Sequence, residues 1–242
     1  MKNPQKLLSM SALALPLILA SQSVQAASIV ASDDNFVLKV NGNAGATNTV
    51  QNENGDLVIK NATNNIRESW LKFDLTGQNV DFSQSGTITL TLASNSSSDA
   101  TFDISLYALD DTGTTAPTWT ESTIHWNNAP GNDTSGNGLE SGETTFLGAT
   151  GTIATSTAAG TQYQFTITDW SDYLQSDNTI TTIAISTINS TGPSIVFASS
   201  ENATEAWRPT LTFTQIPEPG SFALLSGMLA LTWGALGRRR VQ

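Results

Sequence analysis

The side chains best able to do chemistry in this chain are carboxylates, which occur in pairs close together in the sequence. Glycoside hydrolysis needs two carboxyl groups at a set separation, one acting as an acid and the other as a base or nucleophile. Three pairs are candidates by proximity: Asp33 with Asp34, Asp110 with Asp111, and Glu201 with Glu205. None of these pairs lies in a motif that assigns the two roles. We therefore expect solvated turn residues and no enzyme, and we assign no catalytic residue.

The sequence has one histidine, His125, and no cysteine, which limits the metal sites and catalytic nucleophiles that it can form. A zinc site or a cysteine nucleophile would need more of these residues. No Gly-x-Ser-x-Gly elbow is present for a serine triad. Calcium needs only oxygen ligands, so a structural calcium ion is the one cofactor that stays open. The best-placed clusters for it are Asp33, Asp34 and Asn35, or Asp110 and Asp111.

The charge of the chain is strongly negative, with a formal net charge of −11 over 242 residues. Residues 27–216 are more acidic still, because they hold five basic residues against the 20 acidic ones that remain without Glu218, a net charge of −15. A field of this sign repels nucleic acid and anionic lipid. We therefore expect no nucleic-acid partner.

Both ends of the chain resemble targeting segments. Lys2 and Lys6 precede an apolar run at residues 7–20, and small residues at 24–26 (VQA) predict a signal peptide, residues 1–26, cleaved after Ala26. At the other end an apolar helix is predicted at residues 222–236. Its length is about 22 Å at ~1.5 Å per residue, short of a hydrocarbon core of ~30 Å. It is flanked by two clusters, Pro217, Glu218 and Pro219 before it and Arg238, Arg239 and Arg240 after it.

The segment between these ends, residues 27–215, has the periodicity of β-strands. Apolar residues alternate with polar ones in short runs separated by Gly, Asn and Asp. Nine strands are predicted, at residues 36–40, 57–60, 70–75, 87–92, 102–109, 163–168, 179–185, 195–198 and 210–214. A long loop is expected at 127–159 with one extra strand near 145–147, and one or two helical turns at 168–174. This pattern predicts an all-β domain, a single antiparallel β-sandwich or jelly roll.

Alternation in the strand at residues 70–75 predicts which side chains enter the core. Leu71, Phe73 and Leu75 share one face, which we assign to the core, and this leaves Trp70 and Lys72 on the outer face or under a loop. Of these two, Trp70 is the better candidate for an exposed surface on which a sugar ring could stack. Trp119 and Trp126 are predicted to pack in a corner, with the polar residues between them, Glu121 and Thr123, capping the loop backbone.

Three stretches resemble the DNRLRE-type domain, a β-sandwich module also classed with carbohydrate-binding modules. The stretches are residues 67–75 (RESWLKFDL), 119–130 (WTESTIHWNNAP), and 199–201 (SSE) with 208–211 (RPTL). Together they span about residues 32–214. The chain has Ser200 where many relatives carry a basic residue. The resemblance implies a β-sandwich that binds polysaccharide.

The C-terminal tail, residues 216–242, resembles the PEP-CTERM sorting signal of Gram-negative bacteria. The Pro-Glu-Pro tripeptide, the apolar helix and the arginine cluster match that signal in order. The resemblance implies an exosortase-type processing enzyme as a partner, a transient membrane anchor, and delivery to the cell surface or the extracellular matrix of a biofilm. It implies an exported protein.

These features give three hypotheses for function. The first is a non-catalytic surface module that binds polysaccharide. For an anionic glycan, the sequence offers Arg67, Lys72 and Arg208 as cations and Trp70 as a stacking surface. Pairing of these cations with nearby carboxylates such as Glu68 and Asp74 is the favoured alternative. The second is a structural or adhesive matrix protein without a specific ligand. A polysaccharide-active enzyme ranks third.

Overall fold

The computed structural model describes residues 25–41, 43–51, 56–95, 102–110, 119–136, 138–154, 156–175, 178–186, 194–216 and 228. The strands are β1 Gln25–Val30, β2 Asp33–Lys39, β3 Asp56–Ala62, β4 Asn65–Asp74, β5 Gly86–Asn95, β6 Phe102–Leu109, β7 Thr144–Ile153, β8 Gln162–Ile167, β9 Thr179–Ser186, β10 Ile195–Ala198 and β11 Thr210–Gln215. Between residues 25 and 216, the helical elements in the described ranges are α1, Ala44–Thr47, and two 3₁₀ turns, Trp170–Asp172 and Glu205–Trp207.

The strands form one curled antiparallel sheet in the order β1-β11-β5-β10-β3-β4-β9-β6-β7. Two strands lie off this path, with β8 pairing β5 and β2 pairing β4. The half that contains β5 faces the half that contains β4, so one apolar layer is buried between them, as in a β-sandwich. The prediction of an all-β antiparallel sandwich is confirmed at this level.

The main core fills the space between the two halves of the sheet. Alternate residues of β5, Ile88, Leu90 and Leu92, pack with Leu71 and Phe73 of β4, and all five side chains are fully buried. The assignment of Leu71, Phe73 and Leu75 to the core is therefore confirmed, because all three belong to this cluster. Period-two alternation was sufficient for this prediction since only one face of β4 meets the opposite half of the sheet.

A second, smaller core lies on the other face of β2 and β4, beneath a loop. We call residues 119–130 the signature loop and this cluster the loop core. The loop core consists of buried apolar side chains from the two strands and from the loop, with Leu139 packed against them: Val37, Ile66, Trp70, Trp119, Ile124, Trp126 and Ala129. Both faces of β4 are consequently buried, one by the opposite half of the sheet and one by the loop.

The first and last strands of the sandwich lie side by side. β1 pairs antiparallel with β11, so that Gln25 is opposite Gln215 and Val30 is opposite Thr210. We call the Gln25/Gln215 end the terminal pole and the other the distal pole. Five residue steps separate the poles along β1, about 17 Å at ~3.4 Å per residue. Segments that precede Gln25 or follow Gln215 therefore leave the domain at the same place.

All nine predicted strands correspond to observed ones, and the extra strand near residues 145–147 is β7, which extends over Thr144–Ile153. The predicted turn at 168–174 is observed as the 3₁₀ turn Trp170–Asp172. The strand β1 and the short α1 were not predicted, because residues 25 and 26 had been assigned to the signal peptide and no strand was expected in the domain before residue 36. The α1 segment, AGAT, has no apolar periodicity.

The targeting predictions fall largely outside the described ranges. Residues 1–24 of the predicted signal peptide and all six residues of the sorting clusters, Pro217, Glu218, Pro219, Arg238, Arg239 and Arg240, lie there. Of the residues that the structure does describe, none belongs to a helix long and apolar enough to cross a membrane.

Candidate functional site

The signature loop is held in shape by its own polar side chains. Asn128 accepts a hydrogen bond from the backbone N–H of His125 (2.7 Å) and donates one to the carbonyl of Thr123 (2.9 Å). The hydroxyl of Thr123 accepts from the N–H of Thr120 (2.9 Å), and the side chain of Asn132 donates to the carbonyl of Trp126 (2.6 Å). These bonds satisfy backbone groups in a segment without a β-ladder. The predicted capping role is confirmed for Thr123, whereas the carboxylate of Glu121 caps no backbone group among the described residues.

Tryptophans anchor the loop to the sheet. Trp119 is 5% exposed and Trp126 is fully buried, so their predicted core role is confirmed. Trp70 is also fully buried, and its indole N–H donates to the carbonyl of Pro130 (3.0 Å). The expectation of an exposed stacking surface at Trp70 is therefore wrong. Alternation did place Trp70 opposite the main core, but the loop covers that face.

Lys72 is buried beside Trp70 and satisfied by protein groups. Its ammonium donates to the carbonyl of Trp119 (2.5 Å), lies 4.7 Å from the centre of the Trp119 ring and forms an ion pair with Asp33 at 3.6 Å. Its exposed fraction is 8%. A ligand could reach this ammonium only by displacing the loop, so the structure does not support Lys72 as a cation available to a glycan.

The two arginines predicted for ligand binding make their contacts with groups other than Lys72 and Trp70. Arg67 is five residues before Lys72 on β4 and points to the opposite face, where it donates to the side chain of Asn65 (3.2 Å) and lies 5.2 Å from the ring centre of Phe36. Arg208 follows a 3₁₀ turn and donates to the carbonyl of Asn202 (3.0 Å). Both arginines are half-buried. Of the four predicted residues, Arg67 therefore faces away from Trp70 and Lys72, and these two are buried.

An open pocket of about 590 Å³ lies where the signature loop meets the start of β2, which follows directly on the distal-pole end of β1. This volume is within the range of ~300–1,000 Å³ typical of small-molecule sites. We call it the strand–loop pocket. Its lining comes from β2, from the segment after α1 and from the signature loop: Asp33, Asn35, Val50, Gln51, Thr120, Glu121 and Ser122.

Asn35 fixes the relative position of the pocket walls. Its side-chain amide donates to the carbonyl of Gln51 (2.8 Å) on one wall and to the carbonyl of Glu121 (2.9 Å) on the other. Its side-chain oxygen accepts from the N–H of Phe36 (2.8 Å). Asn35 is buried and all three bonds go to backbone groups, so they hold the pocket walls in place without a ligand.

The titratable groups in and next to the pocket are mainly carboxyl groups. Partial burial raises the pKa of Glu121, and the charges of Glu201 and Asp33 raise it further. Next to the pocket, burial raises the pKa of Asp34 to about 7, although the backbone N–H of Ser200 donates to this carboxyl at 2.6 Å. The charges of Glu201 and Glu121 add to the rise. Four carboxyl groups therefore interact here, and the ammonium of Lys72 is paired with one of them.

The Ser199–Glu201 turn, part of the family resemblance, closes over Asp34. Glu201 accepts hydrogen bonds from the hydroxyls of Ser199 (2.8 Å) and Ser200, and Ser200 in turn caps Asp34 through its N–H. These contacts explain the turn as a structural connection between β2 and β10.

A second, smaller pocket of about 390 Å³ lies at the terminal pole. Its lining includes Phe82, which is 45% exposed and meets the ring of Trp170 edge-on at 5.8 Å. Trp170 itself is buried and donates its indole N–H to the carbonyl of Gln84 (2.6 Å). This pocket offers one exposed aromatic face and polar groups from Gln84 and Asp169.

The calcium clusters expected from sequence do not converge. Asp33 is opposite Lys72 and Asp34 is opposite Leu71, so their side chains point to opposite faces of the sheet. The side chain of Asn35 is hydrogen-bonded to three backbone groups. Asp110 accepts from the hydroxyl of Thr145 (3.0 Å), and Asp111 lies outside the described ranges. In the part of the chain that the structure covers, no group of three or more metal-binding side chains is present.

Sequence reasoning missed the residues of the pocket as a site. Glu121 had been assigned to capping within the signature loop, and Asn35 to a calcium cluster. The pocket depends on β2, on the segment after α1 and on the loop meeting in space, which a single sequence does not reveal. The only signal in the sequence was the concentration of Asp, Asn and Glu at 33–35 and at 121.

Comparisons with known proteins show little similarity between this chain and any individual protein that they report. A search of the curated proteins finds no match. Among solved structures, the chain is similar to one in "Structure of infectious bursal disease virus Gt strain", at 13% identity and a TM-score of 0.12, over 89% of this chain and 43% of that chain. The chain thus spans less than half the length of that relative, and a TM-score this low carries no argument.

The family comparison covers the whole described sandwich. The model of Carbohydrate-binding module family 96 matches residues 25–215, from the first residue of β1 to the last of β11. The match includes the signature loop and every residue that lines the strand–loop pocket. A family of this description comprises binding modules and not catalytic domains. The resemblance to a carbohydrate-binding module is confirmed at this level, and the chain belongs to carbohydrate-binding module family 96.

Proposed function

We propose that this protein is an exported, non-catalytic surface module that binds polysaccharide in the strand–loop pocket. The observation that carries the proposal is the family match over residues 25–215, which makes the whole sandwich a carbohydrate-binding module. The pocket supplies the kind of groups that bind sugars: carboxylates, a hydroxyl pair on Thr120 and Ser122, and the amide of Gln51. Sugar hydroxyls both donate and accept hydrogen bonds, so such a mixed polar lining suits them.

The strand–loop pocket is favoured over the terminal-pole pocket for two physical reasons. It is larger, about 590 Å³ against 390 Å³, so it can hold a longer stretch of polymer. It also lies away from the pole where the flanking segments leave the domain, and a polymer can approach it without meeting them. The terminal-pole pocket, with the exposed ring of Phe82, is the alternative.

A matched pair of blocking substitutions tests which pocket binds. Ser122 and Ser83 are both exposed serines, and each lines one pocket. Ser122→Trp should weaken binding to soluble polysaccharides at least tenfold in affinity electrophoresis, whereas Ser83→Trp should leave binding unchanged. The opposite result would move the site to the terminal pole. If the parent protein is retarded by no acidic or neutral polysaccharide, the adhesive matrix protein without a specific ligand becomes the better account.

The finer family and sorting assignments belong to the same proposal. The motifs at residues 67–75, 119–130 and 199–211 support a DNRLRE-type module. The N-terminal segment supports export, with cleavage after Ala26. The Pro-Glu-Pro tripeptide, the apolar run at 222–236 and the arginine cluster support a PEP-CTERM tail that anchors the protein transiently in the membrane, is processed by an exosortase-type enzyme and delivers the protein to the surface or matrix of a Gram-negative bacterium.

Cleavage after Ala26 would fall within β1. The first two residues of this strand, Gln25 and Ala26, pair with Gln215 and Thr214. Their loss would leave four residues, from Ala27 to Val30, on β11. The mature protein would therefore begin as a short edge strand at the terminal pole.

A further inference from the structure

We propose that the strand–loop pocket takes glycans without negative charge and excludes uronic-acid polymers, with Glu121 as the specificity-determining residue. This inference rests on the proposed function, since it names the class of polysaccharide for the same pocket. It replaces the expectation of an anionic glycan, which depended on Arg67, Lys72 and Arg208 acting together.

The first step is that the carboxylate of Glu121 is available to accept hydrogen bonds from a ligand. Among the residues that the structure describes, no group donates a hydrogen bond to its carboxylate, while its backbone N–H and C=O are engaged with Asp33 (3.4 Å) and Asn35 (2.9 Å). The backbone is therefore held and the half-exposed carboxylate is left to accept from a ligand. A carboxylate with two oxygens can accept from two neighbouring sugar hydroxyls, and such charge-assisted bonds are stronger than neutral ones.

The second step is the sign of the charges around the ligand. The charged side chains that line the pocket are Asp33 and Glu121, both carboxylates. The groups that act electrostatically on them include Glu201 and Asp34, which are also carboxyl groups. Lys72 faces Asp33, but its ammonium is buried under Trp119 and bonded there.

The third step is what this arrangement does to a uronic acid. Every uronate unit carries a carboxylate of its own, which would enter a pocket whose lining charges have the same sign. Like charges brought together across an interface oppose binding and suppress the wrong partner. An uncharged sugar of the same ring shape meets no such repulsion and donates its hydroxyls to Glu121. The pocket therefore discriminates by charge and not by shape.

Matched polymer pairs test this proposal on the full-length protein. Each pair has one backbone with and without charge: hydroxyethyl cellulose with carboxymethyl cellulose, methyl-esterified with de-esterified polygalacturonate, and mannan with polymannuronate. At low salt, the neutral member of at least one pair should bind at least tenfold more tightly than its acidic member. The preference should shrink in about 1 M salt, where the Debye length falls to about 3 Å.

Glu121→Gln removes the charge and keeps the shape of the side chain. It should reduce the preference for the neutral member at least about fivefold, whereas Glu140→Gln, at an exposed site outside the pocket, should leave it unchanged. The proposal is overturned if the acidic member of the bound pair binds as tightly as the neutral one, or if Glu121→Gln leaves the preference as it was. Binding of no member of any pair would instead reject the proposed function itself, and this inference with it.

Discussion

At the scale of single residues, two lysines under the signature loop, Lys72 and Lys39, have a structural role. Lys72 lies over the ring of Trp119 at 4.7 Å, and Lys39 lies over the ring of Trp126 at 5.4 Å. Each ammonium also donates to a backbone carbonyl, Lys72 to that of Trp119 in the signature loop and Lys39 to that of Gly136 in the segment after the loop. Two lysines on one face of β2 and β4 thus fasten a loop to a sheet, and cation–π contacts contribute where the ammonium is shielded from water.

The burial of both Trp70 and Trp126 predicts similar effects when either is truncated. Trp126→Ala and Trp70→Ala should each lower the free energy of unfolding by about 3 to 5 kcal/mol, because each leaves a large cavity in the loop core. That loss is a large part of the ~5 to 15 kcal/mol that stabilises a typical domain. Phe146→Ala, at a side chain 55% exposed, is the control and should cost far less. Urea unfolding measures all three, and a Trp70→Ala protein as stable as its parent would contradict the burial described here.

Glu68 predicts a dependence of stability on pH. Its side chain is 2% exposed on the loop face of β4, and burial raises its pKa from an ordinary 4.5 to about 8; the charge of Lys39 opposes the rise and that of Asp133 adds to it. Between about pH 4.5 and pH 8 the folded protein therefore binds a proton that the unfolded chain has lost. The stabilisation is complete below the unfolded pKa and is lost as the pH rises through the folded one.

The expected slope is up to about 1.4 kcal/mol of unfolding free energy per pH unit for Glu68. Asp34, whose pKa is raised to about 7 mainly by burial, adds a slope of the same sign at lower pH. Glu68→Gln mimics the protonated form and should flatten the dependence between pH 7 and pH 8, whereas the exposed Glu140→Gln should not. Urea unfolding at pH 5, 7 and 8 checks this. An unchanged loss of stability in Glu68→Gln would show that another group is responsible.

At the scale of elements, β4 organises the molecule because both of its faces are covered. The face with Leu71 and Phe73 meets the opposite half of the sheet, and the face with Trp70 and Lys72 meets the signature loop. A strand covered on both sides should carry apolar residues on both, yet β4 uses Glu68 and Lys72 on the loop face. The loop supplies carbonyl groups that a second sheet would not, and Lys72 is buried by donating to one of them.

A close approach between two elements gives a further prediction. Gly86, at the start of β5, lies under the ring of Trp170, and a Cβ placed there would be 2.2 Å from a ring carbon. Gly86→Ala should therefore displace the 3₁₀ turn and cost about 1 to 3 kcal/mol, as overpacking of a filled site does. Gly138→Ala, where a Cβ would have nothing within 4 Å, is the matched control. Equal melting temperatures for the two variants would contradict the packing.

The sequence predicted elements better than it predicted their relations. Strand alternation identified Leu71, Phe73 and Leu75 correctly because packing across the sheet follows the period of two. It could not tell whether Trp70 was exposed, since that depends on a loop about 50 residues away folding back over β4. For the same reason Glu121 was assigned to capping: its free carboxylate becomes apparent only when Asp33 and Asn35 of β2 lie beside it. Motifs fixed the local structure, and contacts between distant segments built the pocket.

At the scale of the whole molecule, the two functions that we propose, glycan binding and anchoring, lie at opposite poles. The strand–loop pocket lies at the distal pole, and both flanking segments leave from the terminal pole. A module anchored through the residues after Gln215 would therefore hold its pocket on the side away from the anchor. The net charge of −15 in residues 27–216 would keep such a module clear of anionic lipid.

The sorting tail gives a prediction at this scale. Replacing Pro217, Glu218 and Pro219 by alanine should block processing and leave a longer protein retained in the membrane, because the tripeptide is the part of the proposed signal that the processing enzyme would read. Intact-mass analysis of the protein from its native host checks this. Replacing Ser221 by alanine, just beyond the tripeptide, is the control and should leave processing unchanged. Removal of the tail at the normal position in the triple variant would reject the assignment.

The antiparallel pairing of β1 with β11 also determines how the module would respond to mechanical load. A polymer that pulls at the distal pole against a tether at Gln215 draws β11 along its own axis. Its hydrogen bonds to β1 and β5 lie across that axis, so they share the tension in shear. Tension applied between the two chain ends would instead open the β1–β11 ladder one bond at a time. A chain tethered only through its C-terminal side would thus carry the drag of a hydrated matrix along its more resistant direction.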